Sequence, residues 1–283
     1  EMVMVSGYSG VGKSALVHEL QKNIIATDGL FIMGKCDQYN RGQPFLVLTE
    51  ALQQLLQHLL SESNEKLSEW RTKLQVALGN NAGIITELLP DLALIIGAPP
   101  KLTVLPPAEA ELRLNMVFID FVSVLYSKEQ PLVIFLDDLQ WVDIPTLKLL
   151  QEQVNDKNGL YLIGAYRDNA LDDAHPLTKV LHQLEQTKVL TKIHLEPLKI
   201  EHVQQLLCNS LHCDLDEVST LAELCLKKTQ GNPFFLNQFL LALYQENTIY
   251  YNHNKGKWQW RIEEINKQAM TENVLDLMIV KFG

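Results

Sequence analysis

The chain has 283 residues, 47% of them apolar, and a net charge of −10. That length allows one large domain or a core with a smaller second piece, and the apolar share is enough to bury a real core. The acidic balance excludes a general nucleic-acid binder, which would carry a basic face, but a small anion site needs only a few local donors. Cys36, Cys208, Cys213 and Cys225 fit no zinc spacing and are too few for a disulfide framework. They are expected as small buried hydrophobes in a reducing, cytoplasmic compartment. The longest apolar runs, such as Leu92–Ala98 and Leu132–Leu136, are too short for membrane insertion, and no signal peptide is visible. Glu1 is followed at once by a buried-strand pattern, so the sequence reads as a piece of a longer chain.

In chain order, Met2–Ser6 predicts a short buried strand, followed by a glycine-rich turn and a helix from about Lys13 to Ala26. Leu30–Lys35 predicts a second strand. A polar loop, Cys36–Pro44, leads to a helix near Leu48–Leu60, with apolar residues at 48, 52, 55, 56, 59 and 60. Leu67–Leu89 reads as one or two helices with a break near Gly79-Asn80-Asn81. A proline-bounded loop follows, and Pro107 suits the first turn of a helix running to about Tyr126. Pro131–Leu136, Leu160–Ala165 and Lys192–Leu195 are further strand candidates. Strands alternating with helices imply a parallel sheet covered on both faces. From Ile200 helices dominate: Ile200–Leu211, Asp216–Thr229 and Pro233–Gln245. Tyr250–Ile262 predicts a hairpin around Asn254-Lys255-Gly256, with Trp258 and Trp260 on one face. Thr271–Lys281 reads as a last helix.

Gly7-Tyr8-Ser9-Gly10-Val11-Gly12-Lys13-Ser14 matches G-x-x-x-x-G-K-[ST] at every fixed position. Glycines let successive N–H groups converge on one phosphate, and the helix that follows points its positive end at the same place. Gly7, Ser9, Gly10, Val11, Gly12, Lys13, Ser14 and Ala15 are the candidate phosphate-binding residues. Lys13 is assigned to the β- and γ-phosphates of ATP or ADP, and the Ser14 hydroxyl to Mg²⁺. A chance match occurs in roughly 1% of chains this long. The preceding apolar strand lowers that, as does the following helix, whose Ala15, Leu16, Val17 and Leu20 are expected on its inner side.

Val133-Ile134-Phe135-Leu136 ends in Asp137-Asp138. An acid at such a strand end can hold Mg²⁺, which makes Asp137 the metal residue, and Asp138 is the candidate to orient or deprotonate an attacking water. The bland alternative is that paired acids simply open a loop. Asp143, before Pro145, reads as a helix N-cap rather than a ligand. Arg167, at the end of Leu160–Ala165, is a candidate catalytic sensor of the γ-phosphate. Its alternative is a surface arginine paired with Asp168 or Asp172. Thr229-Gln230-Gly231-Asn232-Pro233 is a turn in front of a helix, at the least a helix connector.

With these segments together, Gly7–Ser14, Leu136–Asp143, Gly164–Asp168 and Gly231–Leu236, the chain resembles the STAND class of signalling ATPases, relatives of the AAA+ enzymes. It is most similar to the ATPase module of large bacterial multi-domain kinases. Gly34–Tyr39 with Pro44-Phe45, and Trp258-Gln259-Trp260, add to that resemblance. It implies an α/β fold, a P-loop NTPase core of three α/β/α layers with a mainly parallel five-stranded sheet over residues 1–198. A helical lid over 199–248 and the truncated start of a winged-helix region over 249–283 would follow. It also implies that Gly231 and Pro233 lie near the nucleotide and that the partners are ATP and the kinase, sensor or output domains of the same chain. Two features depart from the pattern: the segment that often precedes the first strand is absent, and Lys227 and Lys228 are the only basic residues where a lid arginine is usual. The function expected is a slow Mg-dependent ATPase acting as a regulatory switch. The alternatives are a non-hydrolysing ADP- or ATP-bound assembly module and the input domain of a transcription activator.

Overall fold

The computed structural model describes residues 1–40, 42–153, 159–187 and 189–268. By contacts it divides into two units: Glu1–Ser6 with Ser14–His194, and Gly7–Lys13 with the chain from Leu195 on. The glycine loop thus belongs by contacts with the helical part of the chain, and the division falls at 194/195 rather than the expected 198/199.

The first unit is built on five parallel strands, β1 (Met2–Ser6), β2 (Leu30–Lys35), β3 (Leu132–Asp137), β4 (Leu160–Tyr166) and β5 (Leu190–His194), in the order β2-β3-β4-β1-β5. The register sets Lys35 opposite Asp137 and Ser6 opposite both Tyr166 and His194. Strand β3 is buried from Leu132 through Leu136. Such continuous apolar runs arise where helices cover both faces of a parallel sheet. Strand β5 lies at an edge with Thr191, Lys192 and His194 exposed, and an exposed lysine discourages edge pairing.

Helix α1 (Lys13–Ala26) follows the loop, and α2 (Leu46–Leu60), α3 (Asn64–Leu78), α4 (Ala82–Leu88), α5 (Leu92–Ile96) and α6 (Pro107–Val124) lie between β2 and β3 in sequence. The 3.6-residue stripe Leu48, Leu52, Leu55, Leu56 and Leu59 of α2 is buried with Leu74, Ile85, Leu92, Ile95 and Phe121. The break between α3 and α4 is a short 3-10 turn, Gly79–Asn81. Helices α7 (Ile144–Gln153) and α8 (Pro176–Gln186) complete the unit. The expected inner face of α1 is corrected: Val17 is buried, but Ala15, Leu16 and Leu20 are exposed. The row of i, i+4 neighbours that faces inward is the one holding Lys13 and Val17. The adjacent Leu16–Leu20 row is turned about 100° away.

The second unit has its own core. Helices α9 (Ile200–Leu211), α10 (Leu215–Thr229) and α11 (Pro233–Gln245) bury Val203, Leu207, Val218, Leu221, Leu236 and Phe239. The hairpin of β6 (Ile249–Asn252) and β7 (Lys257–Trp260) is antiparallel, and α12 (Ile262–Gln268) follows it. Ile249 and Ile265 are buried in the same cluster as the helices, and Trp258 and Trp260 both pack against it. The hairpin therefore shares the helical core. The expected helix Thr271–Lys281, and with it the part of the winged-helix region after residue 268, lies outside the described residues. No helix among the described residues is long and apolar enough to cross a membrane.

Candidate functional site

The glycine loop leaves β1 and opens α1. Its glycines all have positive φ: Gly7 at 144°, Gly10 at 78° and Gly12 at 106°. At Gly10 a side chain is barred twice, by conformation and by space. A Cβ there would lie 2.8 Å from Asn232 Oδ1 and 2.9 Å from Phe234 Cβ. Val11 is buried, and its N–H donates to the Tyr8 carbonyl at 3.3 Å. Lys13 is only 7% exposed, and its ammonium donates to the carbonyls of Gly7 at 2.8 Å and Tyr8 at 2.9 Å. The loop thus wraps its own cation.

In the same unit, the turn Gly231-Asn232-Pro233 touches the loop. Asn232 Nδ2 donates to the Ser9 carbonyl at 2.8 Å, and the Phe234 N–H donates to the Gly10 carbonyl at 3.2 Å. Pro233 is the first residue of α11. Gly231 has φ 73° and sits so close to Leu198 that a Cβ would fall 2.2 Å from its carbonyl oxygen. The sequence singled out Gly231 and Pro233 and passed over Asn232. Its position as the residue before a helix-starting proline was the available signal.

The acidic group lies in the first unit. Ser14 Oγ donates to Asp137 Oδ2 at 2.7 Å, and Asp137 Oδ1 accepts the Asp138 N–H at 2.9 Å. Asp138 has left-handed backbone, φ 55°, and a side chain 13% exposed. Its Oδ1 takes Gln140 Nε2 at 2.7 Å and Arg167 Nε at 3.3 Å, while Lys35 Nζ stands 3.7 Å from Oδ2. Arg167 therefore pairs with Asp138, not with Asp168 or Asp172, the bland partners the sequence offered. Asp168 instead faces His194 at 3.4 Å. Gln140, 1% exposed, ties this group together: its Oε1 accepts the Arg167 N–H at 3.1 Å.

Lys35 and Gln140 were not assigned from sequence. Lys35 sits at the carboxyl end of a strand, where ligands collect in open parallel sheets, and that was the one signal for it. Asp143 acts as the N-cap of α7: Oδ1 accepts the Thr146 N–H at 2.8 Å and Oδ2 the Thr146 hydroxyl at 2.7 Å. Carboxylates gather at this corner, with Lys35 and Arg167 beside Asp138. The thiol of buried Cys36 is pushed up to about 12, first by burial and then by the carboxylates of Asp143, Asp138, Asp137 and Glu50. Hard oxygen donors among these carboxylates suit a small divalent cation, so Ser14 and Asp137 fit Mg²⁺.

A five-stranded parallel sheet with β4 between β1 and β3, a lysine-bearing glycine loop after β1 and acids at the end of β3 define a P-loop nucleotide-binding fold. Residues 1–163 match the AAA ATPase domain family, and the chain belongs to it. It is similar to hybrid signal transduction histidine kinase G of Dictyostelium discoideum, with 30% identity over 344 residues, 99% of this chain and 10% of that protein. It is also similar to the peroxide stress-activated histidine kinase mak2 of Schizosaccharomyces pombe, with 22% identity over 94% of this chain and 12% of that protein. The chain thus spans about a tenth of the length of these relatives. Among solved structures, that of Cdc6p from Pyrobaculum aerophilum aligns with 87% of this chain and 56% of its own, with 12% identity and a TM-score of 0.46.

Proposed function

We propose that this chain is an ATP-binding and ATP-hydrolysing regulatory switch inside a larger, kinase-associated signalling protein of the cytoplasm. The observation that carries the reading is the 2.7 Å hydrogen bond between Ser14 Oγ and Asp137. It joins the residue that ends the glycine loop to the strand-end acid through two oxygen donors of the kind magnesium prefers. Gly7, Ser9, Gly10, Val11, Gly12 and Ala15 offer backbone to the phosphates, and Lys13 neutralises the β- and γ-phosphates. Ser14 and Asp137 hold Mg²⁺, which when bound supplies positive charge to the phosphate oxygens. Gly231 and Pro233 lie at the nucleotide.

The Asp138–Arg167 pair supports a slow switch. Arg167, 40% exposed at its side chain, exchanges Asp138 for the γ-phosphate. Asp138, released, orients or deprotonates the attacking water. Turnover then waits on opening an ion pair. The STAND resemblance and the histidine-kinase names of the relatives support a kinase parent over a transcription activator. The unpaired state of all four cysteines accords with a reducing compartment. One observation favours a second reading, a non-hydrolysing ADP- or ATP-bound assembly module: Arg167, Lys35 and Gln140 engage Asp138 all at once.

Single-turnover hydrolysis and calorimetric ATP titration test these readings. Wild type is expected to hydrolyse ATP slowly with Mg²⁺. Asp138→Asn should bind ATP as wild type does and lose about 10²- to 10⁴-fold in rate. Lys13→Ala should lose about 10- to 150-fold in ATP affinity, from the ~1.5–3 kcal/mol of a charged hydrogen bond. Unchanged affinity in the Lys13 variant overturns the phosphate assignment. Wild type that retains ATP without hydrolysing it moves the conclusion to the assembly module.

A further inference from the structure

Asn232 uses its whole side chain. Oδ1 accepts the N–H groups of Phe234 at 3.1 Å and Phe235 at 3.3 Å, which caps the start of α11. Nδ2 donates to the Ser9 carbonyl at 2.8 Å, across 223 residues of sequence. The amide orientation is set by its partners, since a flip would set the NH₂ group against two N–H donors and oxygen against oxygen. One residue therefore terminates a helix with one atom and grips the glycine loop with the other.

The grip has a consequence for the loop. In a trans peptide the carbonyl and the following N–H point in opposite directions. Holding the Ser9 carbonyl toward the turn at 231–233 directs the Gly10 N–H to the other side. The Gly10 carbonyl is held the same way by the Phe234 N–H. Gly10, at φ 78° and with no room for a Cβ against Asn232 and Phe234, is the residue that permits this close approach.

We propose that Asn232 is a positioning residue for nucleotide binding: its amide holds the loop in the curl that receives the phosphates, so that the helical turn sets how fast nucleotide leaves. The proposal rests on the reading of Gly7–Ser14 as a phosphate cradle. It ties the phosphate cradle to the start of α11 through the Asn232 side chain. It also accounts for the residue type. Aspartate at this position would cap α11 as well, but its carboxylate has no hydrogen to donate to a carbonyl.

Asn232→Asp separates the two jobs in the 283-residue chain, Asn232→Ser keeps the cap and puts a shorter hydroxyl donor in place of the amide, and Asn232→Ala removes both. The aspartate keeps the cap, gains from the helix dipole and sets a carboxylate oxygen against the Ser9 carbonyl. Asn232→Asp is expected to unfold within a degree or two of wild type without nucleotide, and Asn232→Ala several degrees lower. With Mg-ATP carrying a fluorescent ribose label, Asn232→Asp should raise Kd about tenfold, with the change in the dissociation rate, and Asn232→Ser should follow it more weakly. Hydrogen exchange at Gly10–Gly12 should accelerate in the aspartate variant while Phe234 and Phe235 stay protected. Wild-type Kd, dissociation rate and loop exchange in both capped variants would overturn the proposal and leave the phosphate assignment standing. Failure of wild type itself to bind Mg-ATP, with Lys13→Ala no different, would remove the reading beneath it.

Discussion

Asp143 stands close to the acidic corner, and replacing it should weaken the fold without removing a metal ligand. Its carboxylate accepts the Thr146 N–H at 2.8 Å and the Thr146 hydroxyl at 2.7 Å. Thr146 is fully buried. Asp143→Ala removes an N-cap worth about 0.5–2 kcal/mol and strands a buried hydroxyl, at about 1–3 kcal/mol. The Phe45 N–H, 3.5 Å from Oδ1, adds little. The sum is about 1.5–5 kcal/mol, a fall of roughly 3–20 °C in Tm at the 2–4 °C per kcal/mol expected for a unit of this size. Asp143→Asn keeps an acceptor for the Thr146 N–H and should lose about 1 kcal/mol. Thermal unfolding by circular dichroism reads the loss, and a magnesium titration of ATP binding below the transition reads the site. Stability equal to wild type together with lost magnesium dependence would make Asp143 a ligand and refute the capping argument.

Asp137→Asn should weaken magnesium-dependent ATP binding while leaving magnesium-free binding unchanged, because an amide is a poorer donor to a hard cation; calorimetry with and without magnesium separates the two, and equal losses in both would remove the metal role. The thiols give a pH-dependent readout. Burial pushes Cys225 up to about 12, and burial with nearby carboxylates does the same for Cys36. The folded chain holds those protons longer than the unfolded one, so their stabilising contribution is complete below about pH 9 and is lost as pH rises toward about 12. Urea unfolding should therefore show wild type losing more stability than Cys225→Ala between pH 8 and pH 10.5, and parallel losses would contradict the buried-thiol assignment.

What the sequence determined by itself is what neighbouring residues specify. The glycine-lysine loop is eight consecutive residues, so its spacing is legible without a fold. The strands β1 to β4 were visible as apolar runs, because strands buried on both faces need no alternation. Asp143 and Pro145 marked a helix start, since capping is a matter of three or four residues. The hairpin was legible for the same reason, from its Asn-Lys-Gly turn and alternating tryptophans.

Tertiary structure decided whatever depends on the order of strands and the rotation of helices. Asp138 and Arg167 were each named from their own strand ends, but their pairing follows from β3 and β4 being neighbours, and the approach of Lys35 from β2 being next in line. Gln140 is a polar residue in a polar turn until burial makes its side-chain hydrogen bonds to Asp138 and Arg167 obligatory. Leu16 and Leu20 have the composition of an inner face, yet the orientation of α1 turned the neighbouring row inward. The grip of Asn232 on Ser9 joins residues 223 positions apart. No local pattern encodes that bond, because its donor and acceptor meet only in the folded chain.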